Sequence, residues 1–170
     1  MLAAVLTTLQ KLIERSSGTP IALPSGATRA FRQTQRFSPV DVSEFERSHG
    51  VVFPHEYSLL LTKIGSAECF IDEVGSAAIA IYNPYEVPTL YGDFFAHPSS
   101  LRRFFPIASD NRLQEIVVLL LERHPPNHIL VVAHDVPPED WPDLANEGDL
   151  TSIAGWIQEA LSNDGQLRPH

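Results

Sequence analysis

A single cysteine, Cys69, excludes an internal disulfide and any multi-thiolate metal site. The chain therefore carries no mark of a secreted disulfide scaffold. No apolar run approaches the roughly 20 residues that span a bilayer, which predicts no membrane association. The apolar start, Met1–Gln10, lacks the basic leader of an export signal. Leu2, Val5, Leu6, Leu9, Leu12 and Ile13 recur at helical spacing instead, the pattern of an amphipathic helix packed on a core. Cytoplasmic location is the expectation that follows.

Basic residues are also scarce, 12 Lys and Arg against 21 Asp and Glu, for a net charge of −9. The deficit is uneven. Residues 1–36 hold five basic and one acidic side chain, residues 37–123 six and twelve, and residues 124–170 one and eight. Phosphate backbones are bound through Lys and Arg, so this balance argues against nucleic acid as a partner. A basic protein is the natural complement of the acidic part, although acidity that merely keeps a domain soluble accounts for the same charge.

The usual catalytic signatures are missing too. There is no Gly-x-Ser-x-Gly elbow, phosphate-binding loop or dinucleotide fingerprint. Among seven histidines, His124, His128 and His134 form the one clustered set. With Asp135 they raise the possibility of a zinc-dependent hydrolase. Pro125 and Pro126 break the helical spacing that would align two ligands, so structural or exposed roles are expected for these histidines and no metal site is assigned. Cys69 sits beside Glu68 and near Asp72, where acidic neighbours disfavour a thiolate. No cofactor and no catalytic residue are expected.

What is present reads as one α+β domain spanning residues 1–170. The chain is 44% apolar and 19% charged, enough for a substantial core. The spacing predicts a helix over Leu2–Arg15, then a polar connector over Ser16–Gln35 in which Pro20–Leu23 could form a short edge strand. Ser38-Pro39-Val40-Asp41 supplies an N-cap serine, a first-turn proline and a first-turn carboxylate. Gly50 suits the C-terminal cap of that helix. Pro54 opens a second one, with Tyr57, Leu60, Leu61 and Ile64 on one face and Gly65 at its end. Strand-like runs follow at Glu68–Asp72, Ala77–Tyr82, Phe104–Ala108, Glu115–Leu121 and Ile129–Ala133. The last two lack clean alternation and read as central strands buried on both faces. Tyr82–Ser100 is rich in aromatic residues and proline, with one helical turn near Tyr85–Tyr91. A last helix, capped by Asp149, carries Ile153, Trp156, Ile157, Ala160 and Leu161. This order predicts a mainly antiparallel central sheet with N-terminal helices and a C-terminal helix packed against it.

The segment from Phe37 to Leu61 resembles the SUKH superfamily of bacterial toxin-immunity proteins and a fungal cell-wall-assembly regulator. Phe45 and Glu46 match the inward aromatic and acid of its first helix, Gly50 the turn, and Phe53, Pro54, Glu56 and Tyr57 the start of its second. Phe105-Pro-Ile-Ala-Ser-Asp110 with Val117–Leu121 looks like its later strand pair, so the resemblance runs from residue 37 to 161. Lys63-Ile-Gly-Ser66 stands where members often carry Asn-Gly, and Asn111-Arg-Leu-Gln where they often carry glycines. The resemblance implies a non-catalytic protein-binding fold, with the bacterial role of neutralising a toxin, commonly a nuclease or deaminase. A scaffold role like that of the fungal relative is the alternative.

Partner-binding residues are sought where loops expose aromatics beside acids. Asp135–Asp143 reads as a proline-broken surface loop in which Glu139, Asp140 and Asp143 surround Trp141, an anchor or else a plug. Tyr85 and Tyr91 are further candidates, as are the acids Glu68, Asp72 and Glu73. Tyr82 is expected to pack on the core.

Overall fold

The computed structural model describes residues 1–91 and 103–166. Part of the Tyr82–Ser100 stretch, residues 92–100, lies outside the described residues. The fold is α+β, with seven antiparallel strands hydrogen-bonded in sequence order: β1 Ile21–Ala22, β2 Thr28–Gln35, β3 Ser66–Ile71, β4 Ala77–Ile81, β5 Phe104–Asp110, β6 Glu115–Leu120 and β7 Ile129–Ala133. The described helices are α1 Leu2–Ser16, α2 Pro39–His49, α3 His55–Lys63, the single turn α4 Val87–Leu90, α5 Trp141–Glu147 and α6 Ile153–Ser162.

The α2–α3 unit forms where local chemistry dictates. Ser38 Oγ accepts from Asp41 N at 3.1 Å while the Asp41 carboxylate accepts from Ser38 N at 2.7 Å, a reciprocal cap that satisfies two otherwise orphaned donors. Those bonds hold the Asp41 carboxyl below its ordinary value. Gly50 ends α2 at φ 63°, the left-handed conformation glycine adopts without Cβ strain. Gly65 is required twice over. Its φ is +73°, and an added Cβ would lie 2.0 Å from the Gln35 carbonyl oxygen.

Alternation along the strands separates two cores. On one face Phe31, Phe105, Ile107, Val117, Leu119 and Ile129 pack with residues of α1, α2, α3 and α6, including Leu6, Phe45, Tyr57 and Ile157. On the other, Phe104, Val118, Leu120, Leu130 and Val132 are covered by Trp141 and Ala145 of α5. The first core holds a run of rings: Phe45 stacks on Phe53 at 5.5 Å, and Phe105 meets Phe45 and Phe53 edge-on at 5.8 and 4.9 Å.

Four expectations need correction. The Ser16–Gln35 connector contains the eight-residue strand β2, beside the expected short strand β1. β2 pairs with β3 through two register shifts, and the first leaves Ala30 and Phe31 consecutively buried. That irregularity erased the period-two signal. β7 is buried on both faces as expected, but it is an edge strand and not a central one, with β6 on one side and the single bridge Ile129–Thr151 on the other. The cap of α6 is Ser152, whose Oγ accepts from Gly155 N at 2.9 Å, and not Asp149. Finally, Asp135–Asp143 is not an open loop, because a 3₁₀ turn at Pro138–Asp140 leads directly into α5. Proline at the second position of α5 lacks only an N–H that the first turn leaves free.

Cys69, on β3, is 1% exposed, and burial followed by the charge of Glu68 pushes its thiol up to about 12. The folded protein is expected to resist a thiol-specific reagent at mildly alkaline pH and to react once unfolded in urea. Rapid labelling under native conditions would contradict this placement.

Candidate functional site

A strand order that follows the sequence has an electrostatic consequence. The uneven charge along the chain becomes an uneven charge across the sheet. Lys11, Arg15, Arg32 and Arg36 are exposed, Arg29 is half-buried, and all five lie on α1, on β2 or beside it. Arg15 donates to the Ala22 carbonyl of β1, which fixes α1 to the same edge. At the opposite edge, residues 124–152 contain six acids and no Lys or Arg. Asp135, Glu139, Asp140, Asp143, Glu147 and Asp149 are all exposed there, on α5 and the segments flanking it. Seven strands at about 4.8 Å spacing put the two edges roughly 30 Å apart.

The structure divides the sequence-derived candidates. Glu139, Asp140 and Asp143 share this acidic edge and face solvent. Trp141 sits among them in sequence but is only 1% exposed; its Nε1 donates to the Val136 carbonyl at 3.2 Å and its ring meets Phe104 at 6.4 Å. It is the plug and not the anchor. Glu68, Asp72 and Glu73 belong elsewhere, on β3 and the turn after it. Glu68 pairs with Arg32 across the β2–β3 ladder. Asp72 Oδ1 accepts from Val74 N and Ser76 N at 3.0 and 2.9 Å, closing the turn on which Glu73 is exposed. Four strand spacings of about 4.8 Å separate β3 from β7, so these acids cannot act with the α5 set on one small epitope.

The tyrosines form a third location. Tyr85 is 44% exposed, lies against Phe45 and Phe37, and donates its hydroxyl to the Asp41 carbonyl at 2.9 Å. Tyr91 is half-buried with its hydroxyl 3.3 Å from that of Tyr82, and burial pushes its phenol well up. Tyr85 covers the aromatic core beside α2, whereas Tyr91 packs against both cores, including the cluster that holds Trp141.

Three exposed acids at this edge, Asp135, Glu147 and Asp149, were not singled out as contacts from the sequence. The absence of Lys and Arg over residues 124–152 was the available signal. Cations bordering the edge are already committed: Arg103 Nε donates to Glu122 at 3.0 Å, and Arg123 Nη2 to Asn146 Oδ1 at 3.0 Å.

The histidine set does not converge. His128 and His134 flank β7 at opposite ends, so roughly 20 Å of strand separates them. His128 is fully buried, His124 and His134 are exposed, and His134 Nδ1 lies 3.0 Å from the Gln114 carbonyl. Among the described residues no three His, Cys, Asp or Glu side chains are grouped to hold a metal ion. A cleft of about 480 Å³ at the hairpin tips is lined by Arg29, Asp72, Ser76, Asn111 and Arg112. Its buried cation is already engaged, since Arg112 Nε donates to Asp110 at 2.8 Å. No described helix is long and apolar enough to cross a membrane. Comparison of the chain with family models, curated proteins and solved structures found no match.

Proposed function

We propose that this chain is a non-catalytic protein-binding domain of SUKH type, an immunity protein that holds a basic toxin domain against the acidic β7–α5 edge. The observation that carries the reading is that edge: six exposed acids, no Lys or Arg over residues 124–152, and a rigid support beneath. α5 is anchored by buried Trp141 and Ala145, so Asp143 and Glu147 project from a fixed helix, with Glu139 and Asp140 on the 3₁₀ turn that leads into it and Asp135 and Asp149 on the flanking segments. A nuclease or deaminase carries a positive substrate path, and a negative edge steers such a partner and then competes with its nucleic acid.

The residues behind the family resemblance are used for construction. The Glu46 carboxylate accepts from Phe53 N at 2.8 Å, joining the two helices of the unit. Phe45, Phe53 and Tyr57 are buried in the ring cluster. Recognition is therefore assigned to a surface outside the resembling motif.

The test is co-expression with basic nuclease or deaminase toxin domains, starting with any that is encoded beside this chain. Growth rescue and a stable complex are expected, with affinity falling as salt rises. Reversing Glu139, Asp140, Asp143 and Glu147 to Lys should slow association by about 10- to 1,000-fold at low salt, the range of electrostatic steering. Circular dichroism should stay unchanged, because all four side chains are exposed. No complex and no rescue would overturn the immunity reading. Unaltered association by the fourfold variant would remove the edge as the binding surface.

A further inference from the structure

Among the described residues, buried side-chain atoms without a hydrogen-bond partner occur at Glu56 Oε2, the Tyr57 hydroxyl, both ring nitrogens of His128 and Trp156 Nε1. Buried polar groups are nearly always paired, and His128 departs furthest, being 0% exposed with neither nitrogen satisfied. Its backbone is fixed on both sides. His128 N donates to the Pro126 carbonyl at 3.2 Å, and the His128 carbonyl accepts from Leu120 N at 2.8 Å, extending the β6–β7 ladder by one rung. Residues 122–127 before it are exposed, so loosening that rung is a short route by which the imidazole reaches water.

Across from it stands the first turn of α3, where Glu56 is half-buried and is the charged group acting on the ring. Tyr57 on the same turn is also buried, with its phenol pushed well up by burial, whereas His55 on α3, Glu122, Arg123 and His124 on the turn before His128, and Asp149 near Thr151 face solvent.

We propose that His128 is an acid-sensitive latch between α3 and the β6–β7 hairpin, closed while the imidazole is neutral and opened at residues 121–128 when it takes up a proton. A neutral ring tolerates burial, whereas a buried imidazolium is disfavoured unless it is fully paired. Burial accordingly lowers its affinity for a proton from the ordinary 6.5, opposed by the Glu56 carboxylate and the Pro126 carbonyl. The sign follows. A histidine depressed in the closed state binds its proton more readily in the open state, so stability rises with pH through this range. Closure is complete above the ordinary value of 6.5 and is progressively lost below it. Glu56 limits the loss, because an imidazolium formed in place meets its carboxylate.

Amide hydrogen exchange reads the latch directly, with Leu120 N as reporter and the β3–β4 ladder as internal reference. Between about pH 7.5 and about pH 5.5, and after correction for intrinsic exchange, Leu120 should lose up to about tenfold in protection relative to the reference. His128→Leu should abolish that difference. Glu56→Gln, which keeps the imidazole, should enlarge it and serves if the leucine variant folds poorly. Protection at Leu120 that is flat or rises on acidification, or an acid loss that persists in His128→Leu, would overturn the latch.

Discussion

Trp141→Ala is expected to destabilise the folded chain by about 3–5 kcal/mol, the range for removing a buried indole. The second core is small. Among the described residues its buried members are Phe104, Val118, Leu120, Leu130, Val132, Trp141 and Ala145, with Tyr91, Ile116, Val136, Leu144 and Leu150 packed against them, and Trp141 is its largest side chain. A cluster of that size offers few neighbours to collapse into the space an indole leaves, so both the transfer loss and the cavity remain. α5 has seven residues and no side-chain cap, too short to persist without tertiary packing. Its buried residues are Trp141 and Ala145, so the substitution removes most of what fixes the helix. Against a total stability of about 5–15 kcal/mol for a domain, this loss is severe. Trp141→Phe keeps an aromatic ring but gives up the Nε1 bond to Val136, and should cost far less. Urea unfolding followed by circular dichroism measures both. A Trp141→Ala loss under about 1 kcal/mol would mean that the indole is not a structural plug. The binding proposed for the acidic edge should fall with the same variant, because its acids would then sit on an unanchored segment.

This residue also marks where sequence reading reached its limit. α2 and α3 were legible because helix ends are decided within four residues: Ser38, Pro39, Asp41 and Gly50 act on their immediate neighbours. β3 to β7 were legible as strand-like runs, β6 and β7 most clearly through their Val, Ile and Leu. β2 was not, since its bulge cancelled alternation and its solvent side carries arginine and glutamine. Trp141, set among prolines and acids, had the composition of a loop, and only its meeting with Phe104, distant in sequence, makes it core. The edge position of β7 was hidden for a similar reason. Burial on both faces comes from Ile129 facing one core and Leu130 the other, and composition does not record how many neighbours a strand has. The acidic edge was half visible. The charge imbalance could be counted, but only an in-order sheet turns it into a surface.

Asp110→Ala should be comparably damaging, again by about 3–5 kcal/mol, because it strands a buried cation. The side chains of Arg112 and Asp110 are 6% and 3% exposed. Two guanidinium nitrogens, Nε and Nη2, donate to the carboxylate, and Arg112 N adds a third bond to Oδ1 at 3.2 Å. With Asp110 gone, the Gln166 carbonyl, accepting from Nη1 at 3.2 Å, remains as a neutral partner. The other carboxylates whose charges act on the guanidinium are Glu159 and then Glu115. Glu115 is held above its ordinary value, first by burial and then by the charge of Asp110, while Arg112 pulls it down. Removing Asp110 relieves that repulsion and leaves Glu159 and Glu115 as the carboxylates acting on the guanidinium, which offsets part of the loss. Adding Glu115→Gln to Asp110→Ala should therefore deepen the destabilisation by more than Glu115→Gln costs alone, a non-additivity read from a double-mutant cycle. Replacing the pair together, Asp110→Leu with Arg112→Met, should be close to neutral, since no charge is then left without a partner. If the double replacement proves as harmful as Asp110→Ala, the pair contributes specific stability of its own and the stranded-charge account fails.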